Sequence, residues 1–298
     1  MSSLKAIFDM PFFLMHNITI MDFNGIFITD FDGTLYDHAF GFDELGLLGM
    51  EELRRNRFLR VVATGRSNFL LHREIDVKAF ADYVIFASGS VIYDCAQDKL
   101  LHLEFLPETK VYEICRILHD ELKLNFMVQN VWPNNHTFKY WPLESRIADF
   151  TRRVALYGTS AEYVSGPPLD DATEIITIIN PERKSEVVGL LQSRFPDLSI
   201  ITATSPLDKT SIWLEIFPQD VSKSKACARL LELLQLEGRP TAAVGNDYND
   251  LDMLHWADYG FVVSNAPRAI WGDFEVVSKS GEGGVKEAAL NFMQRIQP

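Results

Sequence analysis

Four short stretches carry the side chains best suited to reaction chemistry. The first is Asp30-Phe31-Asp32-Gly33-Thr34-Leu35, at the end of the apolar run GIFITD. If the extended backbone persists through Phe31, side chains two apart point the same way, and both carboxylates face the space beyond the strand end. Gly33 permits a sharp turn that keeps the main chain close to a ligand. An Asx turn that only ends the strand is the plainer alternative. Thr64-Gly65-Arg66 follows the run RVVA and sets a hydroxyl beside an open glycine backbone, which suits a phosphoryl oxygen. Alone, it is equally a strand-ending turn. Lys223 and Lys225 stand at the start of a helix, where the dipole does not favour cations, so either a nearby anion or plain solvation accounts for them. The last stretch, Gly245-Asn246-Asp247-Tyr248-Asn249-Asp250, followed by Asp252, crowds acids into a strand-to-helix turn. Acids there can cap the helix or ligate Mg²⁺.

Bringing these stretches together requires strands whose ends meet. Short apolar runs bounded by turn residues occur at 25–30, 60–64, 83–87, 241–245 and 261–264, as expected of strands buried on both faces of a sheet. Helical patterns lie between and after them, at 51–57, 224–236 and 249–257, with VKEAALNFMQRI closing the chain. Alternation of this kind predicts an α/β fold with a Rossmann-like, mostly parallel sheet, which binds ligands beyond the carboxyl ends of its strands. The middle of the chain has a separate rhythm. A strand-like run at 100–105 precedes a helix after Pro107, and then come LNFMVQ, a helix pattern at 144–156 and a strand, helix, strand unit at 173–204. The expected division is an N-terminal extension at 1–23, a core at 24–95 and 206–298, and an inserted α/β domain at 96–205.

Composition narrows the function classes. The chain has 298 residues, 47% of them hydrophobic, and a net charge of −13. That much apolar material excludes a disordered chain, and the acidity argues against duplex nucleic acid as a partner. Residues 6–21 are apolar but too short to span a bilayer, and Asp9, Pro11 and His16 interrupt them. They read as an extension, with Met21 a candidate start, and no membrane partner is expected. Cys95, Cys115 and Cys227 are widely separated, so neither a disulfide framework nor a zinc cluster is indicated, and the cytoplasm is the expected compartment.

In chain order, DFDGTL, TGR, VSK and GNDYND resemble the four motifs of the haloacid dehalogenase superfamily of phosphohydrolases. The insertion between the second and third motifs is similar to the larger α/β cap of the Cof-like branch, which includes sucrose-phosphate phosphatases. The likeness runs from about residue 24 to the closing GEGGVKEAAL. It implies a phosphoric monoester hydrolase acting on a small phosphate ester, a sugar phosphate by preference. Asp30 would be the nucleophile that becomes an aspartyl-phosphate, and Asp32 the acid and base. Thr64 and Lys223 would stabilise the transferring group, with Lys225 the lesser candidate, and Gly33, Thr34, Gly65 and Arg66 would sit at the phosphate. The implied cofactor is Mg²⁺, held by Asp30, Asp32 and the last motif.

Two departures from that resemblance stand out. The family's GDxxND has Asn246 at its first aspartate, so either an uncharged amide ligates the metal or Asp247 takes over, with Asp250 at the last acidic position. Ser88-Gly89-Ser90 replaces the usual Asn-Gly-Ala. Trp132, Asn134, His136, Lys139, Tyr140 and Trp141 either stack on a sugar or pack the inserted domain. Three other functions stay open. These are phosphotransfer to a second hydroxyl, as in phosphohexomutases, a non-catalytic binding protein poor in metal, and an acyl-enzyme hydrolase built on Ser222 and Lys225. The last lacks the SDN and KTG partners of such enzymes. Oligomeric state is not legible in the sequence.

Overall fold

The computed structural model describes residues 23–37, 39–68, 76–143, 147–205 and 207–296. Residues 1–22 of the N-terminal extension, including the start at Met21, lie outside them. The chain opens with β1 (Gly25–Asp30), a small hairpin of β2 (Tyr36–Asp37) and β3 (Gly41–Phe42), and α1 (Glu44–Arg55). Next come β4 (Phe58–Ala63), β5 (Tyr83–Phe86), β6 (Val91–Asp94) and β7 (Lys99–Leu103). The middle holds α2 (Glu108–Arg116), β8 (Phe126–Gln129), β9 (Phe138–Trp141), α3 (Ala148–Tyr157) and β10 (Ala161–Tyr163). It continues through β11 (Glu174–Ile179), α4 (Lys184–Arg194), β12 (Leu198–Thr204) and β13 (Ile212–Pro218). The chain closes with α5 (Lys223–Leu234), β14 (Thr241–Gly245), α6 (Leu251–Trp256), β15 (Tyr259–Val263), β16 (Glu275–Val277) and α7 (Gly284–Ile296).

Two sheets organise these elements. The larger has the order β16-β15-β14-β1-β4-β5-β6-β7. Its strands run parallel from β16 to β5, and β6 and β7 add an antiparallel edge. Both of its faces are covered. Phe27, Val62 and Val244 pack against Leu47, Met50 and Phe292 from α1 and α7, while Ile26, Ile28 and Ala243 pack against Leu230 and Leu254 from α5 and α6. Burial on both faces is why these strands read as unbroken apolar runs. Since β1 has β4 on one side and β14 on the other, the sheet reverses its winding at β1, and the crevice beyond that reversal is where such sheets bind ligands.

The second sheet has the order β10-β9-β8-β11-β13-β12, with α2 and α4 on one face and α3 on the other. Sheet membership differs from the borders read at 96 and 205. β7 hydrogen-bonds to β6 in the first sheet, and β13 pairs with β11 and β12 in the second. The chain leaves the first sheet after Leu103 and returns after Pro218. Among the described residues no helix is long and apolar enough to cross a membrane.

Most of the aromatic cluster of this region is used in packing. Trp132 lies against Phe86 and Tyr93 of the first sheet, with ring centroids 5.7 and 5.6 Å apart. Trp141 stacks on His119 at 3.7 Å, and Tyr140 packs with Phe138, Phe150 and Tyr163. Lys139 is paired with Asp170. Of the two readings of these rings, packing is the one their contacts support.

Candidate active site

Asp30 is the last residue of β1 and is buried. Its Oδ1 accepts from Lys223 Nζ at 2.7 Å and its Oδ2 from the Thr34 hydroxyl at 3.0 Å. Lys223 is the first residue of α5, whose N-cap Ser222 accepts a hydrogen bond from the Lys225 main chain. A cation at that helix end is unfavourable by itself. It is offset here by two carboxylates, because Nζ also donates to Asp250 Oδ1 at 2.6 Å. Burial works against the Lys223 ammonium, but attraction to Asp250 and Asp30 outweighs it and holds the group charged. Burial and the nearby Asp250 push the Asp30 carboxyl up to about 7, although Lys223 opposes them.

Asp250, fully buried, receives the Asn246 and Asp247 main-chain N–H groups on Oδ2 at 2.9 and 3.1 Å. Its role is to hold the turn after β14 and to anchor Lys223. The Asp247 side chain accepts from the Tyr248 main chain at 2.7 Å in a capping box with Asp250, so it serves the turn. Asn246 is the residue that reaches the cluster. One position of its amide lies 3.0 Å from the Asp32 main-chain oxygen, 3.1 Å from Asp30 Oδ2 and 3.3 Å from the Thr34 hydroxyl. Gly33 makes room for it: its φ is +75°, and a Cβ there would meet the Asn246 amide at 2.4 Å.

The Asp32 carboxylate is gripped by Arg66, with Nε donating to Oδ2 at 2.9 Å and Nη2 to Oδ1 at 2.7 Å. The guanidinium in turn lies over the Phe31 and Tyr36 rings, 5.0 and 5.2 Å from their centroids. Arg66, expected at the phosphate, is thus engaged by the acid. Thr64 is buried at the end of β4, where its hydroxyl accepts from the Arg66 main chain at 3.1 Å, and a Cβ on Gly65 would meet only Ser88 Oγ within 4 Å. The four stretches therefore converge at the ends of β1, β4 and β14 and the start of α5. Two residues singled out in the sequence do not join them. Lys225 donates to the Gln219 carbonyl at 2.6 Å, so no Ser222–Lys225 dyad forms, and Asp252 accepts from Ser224.

Sequence reasoning missed Asn265, whose Nδ2 donates to the Gly33 carbonyl at 2.9 Å while its Oδ1 accepts from the Ser280 main chain at 2.8 Å. It braces the turn from the loop after β15. Its position just beyond an apolar strand was the available signal.

Three comparisons bear on this arrangement. The sequence profile of the haloacid dehalogenase-like hydrolases matches residues 27–288. Phosphatase YwpJ of Bacillus subtilis is 25% identical over 255 residues, covering 80% of this chain and 88% of that protein. Among solved structures, the phosphatase BT1666 of Bacteroides thetaiotaomicron superposes with a TM-score of 0.73 at 16% identity, over 91% of this chain and 96% of that one. The sugar phosphatase BT4131, of subclass IIB, gives 0.71 at 16% identity, over 90% and 99%. At such identities the two structures speak for the fold.

Proposed function

The chain belongs to the haloacid dehalogenase-like hydrolases, in their Cof-like branch, and is a phosphatase; from that premise we propose that it hydrolyses a phosphorylated sugar with Mg²⁺, through an aspartyl-phosphate on Asp30. The observation that carries this reading is the Asp30 carboxylate at the reversal of the sheet, oriented by Lys223 and Thr34 with the Asp32 carboxylate close by. Asp30 attacks phosphorus and the ester P–O bond breaks, while Asp32 delivers a proton to the departing alkoxide. Water then attacks the acyl-phosphate, its proton passes to Asp32, and inorganic phosphate and the Asp30 carboxylate are released. Lys223 neutralises charge on the transferring group, Thr64 and the open backbone at Gly65 receive its oxygens, and Arg66 fixes the direction of Asp32.

The residues fit a hard cation. With the Asn246 amide oxygen inward, three oxygens cluster: Asn246 Oδ1, Asp30 Oδ2 and the Asp32 carbonyl, two of the edges being 3.0 and 3.1 Å. Metal–oxygen bonds of about 2.1 Å at right angles require oxygens about 3 Å apart. With the nitrogen inward, the same position donates hydrogen bonds to both oxygens, so the amide serves the site in either state. Bound Mg²⁺ would supply positive charge to a phosphoryl oxygen and to Asp30.

The unit carrying the second sheet, from Leu106 to Pro218, acts as the cap over the leaving group, and the reducing cytoplasm suits the three unpaired cysteines. The test is phosphate release from a panel of sugar phosphates with Mg²⁺ titrated, together with mass spectrometry of rapidly quenched protein. Turnover that survives chelation of Mg²⁺, or an absence of phosphate release across the panel, overturns the reading.

A further inference from the structure

The cap turns a second polar cluster toward the site. Residues directly opposite on antiparallel strands share a face, and β11 and β13 pair Ile176 with Glu215, while β11 and β8 pair Glu174 with Gln129. Glu174, Glu215 and Gln129 therefore stand on one face of the second sheet, the face against which α3 packs. From α3, Arg153 lays its guanidinium over the Trp213 ring at 4.3 Å, within electrostatic reach of both glutamates. Glu215 extends to the core, where its Oε2 accepts from the Ser88 hydroxyl at 3.4 Å. Ser88 in turn donates its main-chain N–H to the Thr64 carbonyl, which puts Glu215 beside the turn at Thr64 and Gly65.

This cluster is not satisfied internally. Gln129 is 3% exposed and Arg153 8%, yet Gln129 Nε2 and Arg153 Nε have no hydrogen-bond partner. An unmade hydrogen bond at a buried donor is costly. Both glutamates are partly accessible, but their surroundings desolvate them. Burial and Glu215 raise the Glu174 carboxyl well above its ordinary range, and burial raises Glu215 despite Arg153 and the Ser88 hydroxyl. Two carboxyls and two buried, unpaired donors thus gather on the cap side of the contact between Glu215 and Ser88.

We propose that Glu174, Glu215, Gln129 and Arg153 form the seat of the leaving group, taking the hydroxyls of a phosphorylated polyol or sugar and rejecting substrates with a second anionic group. This rests on the phosphatase reading and specifies its substrate. A hydroxyl both donates and accepts, so adjacent hydroxyls match carboxylates and N–H groups on one surface. A second phosphate or a carboxylate would bring a further anion into surroundings that already disfavour charge on two carboxyls, with one arginine to offset it.

The test uses the full chain with Mg²⁺ and compares kcat/KM for p-nitrophenyl phosphate, a hexose 6-phosphate and a hexose bisphosphate. The expected result is a preference of at least about tenfold for the hexose monophosphate over the bisphosphate. Glu215→Gln and Glu174→Gln should each lower the ratio of hexose monophosphate to p-nitrophenyl phosphate activity by about tenfold, mainly through KM, and narrow the discrimination against the bisphosphate. Gln129→Leu, which removes a donor without touching charge, should lower the same ratio, with melting curves to verify that each variant folds. A wild type that prefers the bisphosphate, or variants that lose activity equally on every substrate as a mere cap-to-core latch would, overturns the seat. A wild type inert toward p-nitrophenyl phosphate as well would overturn the phosphatase reading instead. Thermal shifts with hexose 6-phosphate would then still decide the seat: it stands if the shift is present in wild type and lost in Glu215→Gln, and falls otherwise.

Discussion

The acids of the core and those of the cap are wired in opposite ways. In the core, Asp30 and Asp250 share Lys223 through hydrogen bonds of 2.7 and 2.6 Å, and Asp250 takes two further main-chain N–H groups. In the cap, Glu174 and Glu215 have Arg153 within electrostatic reach, but no ion pair within 4 Å joins them to it among the described residues. On the proposed mechanism the first arrangement would hold reacting groups in place before substrate arrives, which is how an electrostatic site avoids reorganisation during the reaction. On the proposed seat the second would leave bonding capacity for substrate to fill. A fully paired cluster is costly to break, whereas an underpaired one lowers stability while it is empty.

Variants can test that contrast. The largest effect is expected from Asp30→Asn, which should lower turnover at least about a thousandfold and abolish the acyl-phosphate seen by mass spectrometry. Lys223→Met leaves Asp30 and Asp250 facing each other without their cation. It should destabilise the protein by about 3–5 kcal/mol in urea unfolding at pH 7, as breaking a buried pair does. Asn246→Asp adds a charge to the oxygen cluster and should tighten Mg²⁺ binding about tenfold by calorimetry. A smaller effect of opposite sign is expected in the cap. Because folding raises the Glu174 pKa above its ordinary 4.5, the native state holds more protons above that pH, and stability is lost as pH rises. Glu174→Gln should therefore raise the melting temperature by about 2–4 °C at pH 8, with the gain vanishing toward pH 4.5. A loss of stability at pH 8 would mean that the cap acids are as well paired as those of the core.

The core was legible in the sequence because its strands are buried on both faces, so GIFITD, RVVA and TAAV stand out as apolar runs that end in polar motifs. Lys223 could be favoured over Lys225 from its motif, but only the fold shows that one is buried against Asp30 and the other is tied to the Gln219 carbonyl. The start of α1 at Glu44 was hidden by Gly46 and Gly49, which weaken a helical pattern. Gly49 is nevertheless needed, since a Cβ there would lie 2.7 Å from Lys286 Cα on α7. The cap cluster was not legible. Gln129, Glu174 and Glu215 sit in mostly apolar strands on three separate segments, and only the register between them brings their side chains together.

Glu215 and Lys223 are eight residues apart on one uninterrupted stretch of chain. The strand that carries the glutamate ends at Pro218, and the intervening turn is laced by Val221 N–H to the Pro218 carbonyl at 3.1 Å and by Lys225 to the Gln219 carbonyl. Eight residues reach at most about 28 Å, and the strand portion is already committed to the sheet. The same short stretch thus ties Glu215 of the second sheet to Lys223 beside Asp30, and bounds how far the one can part from the other.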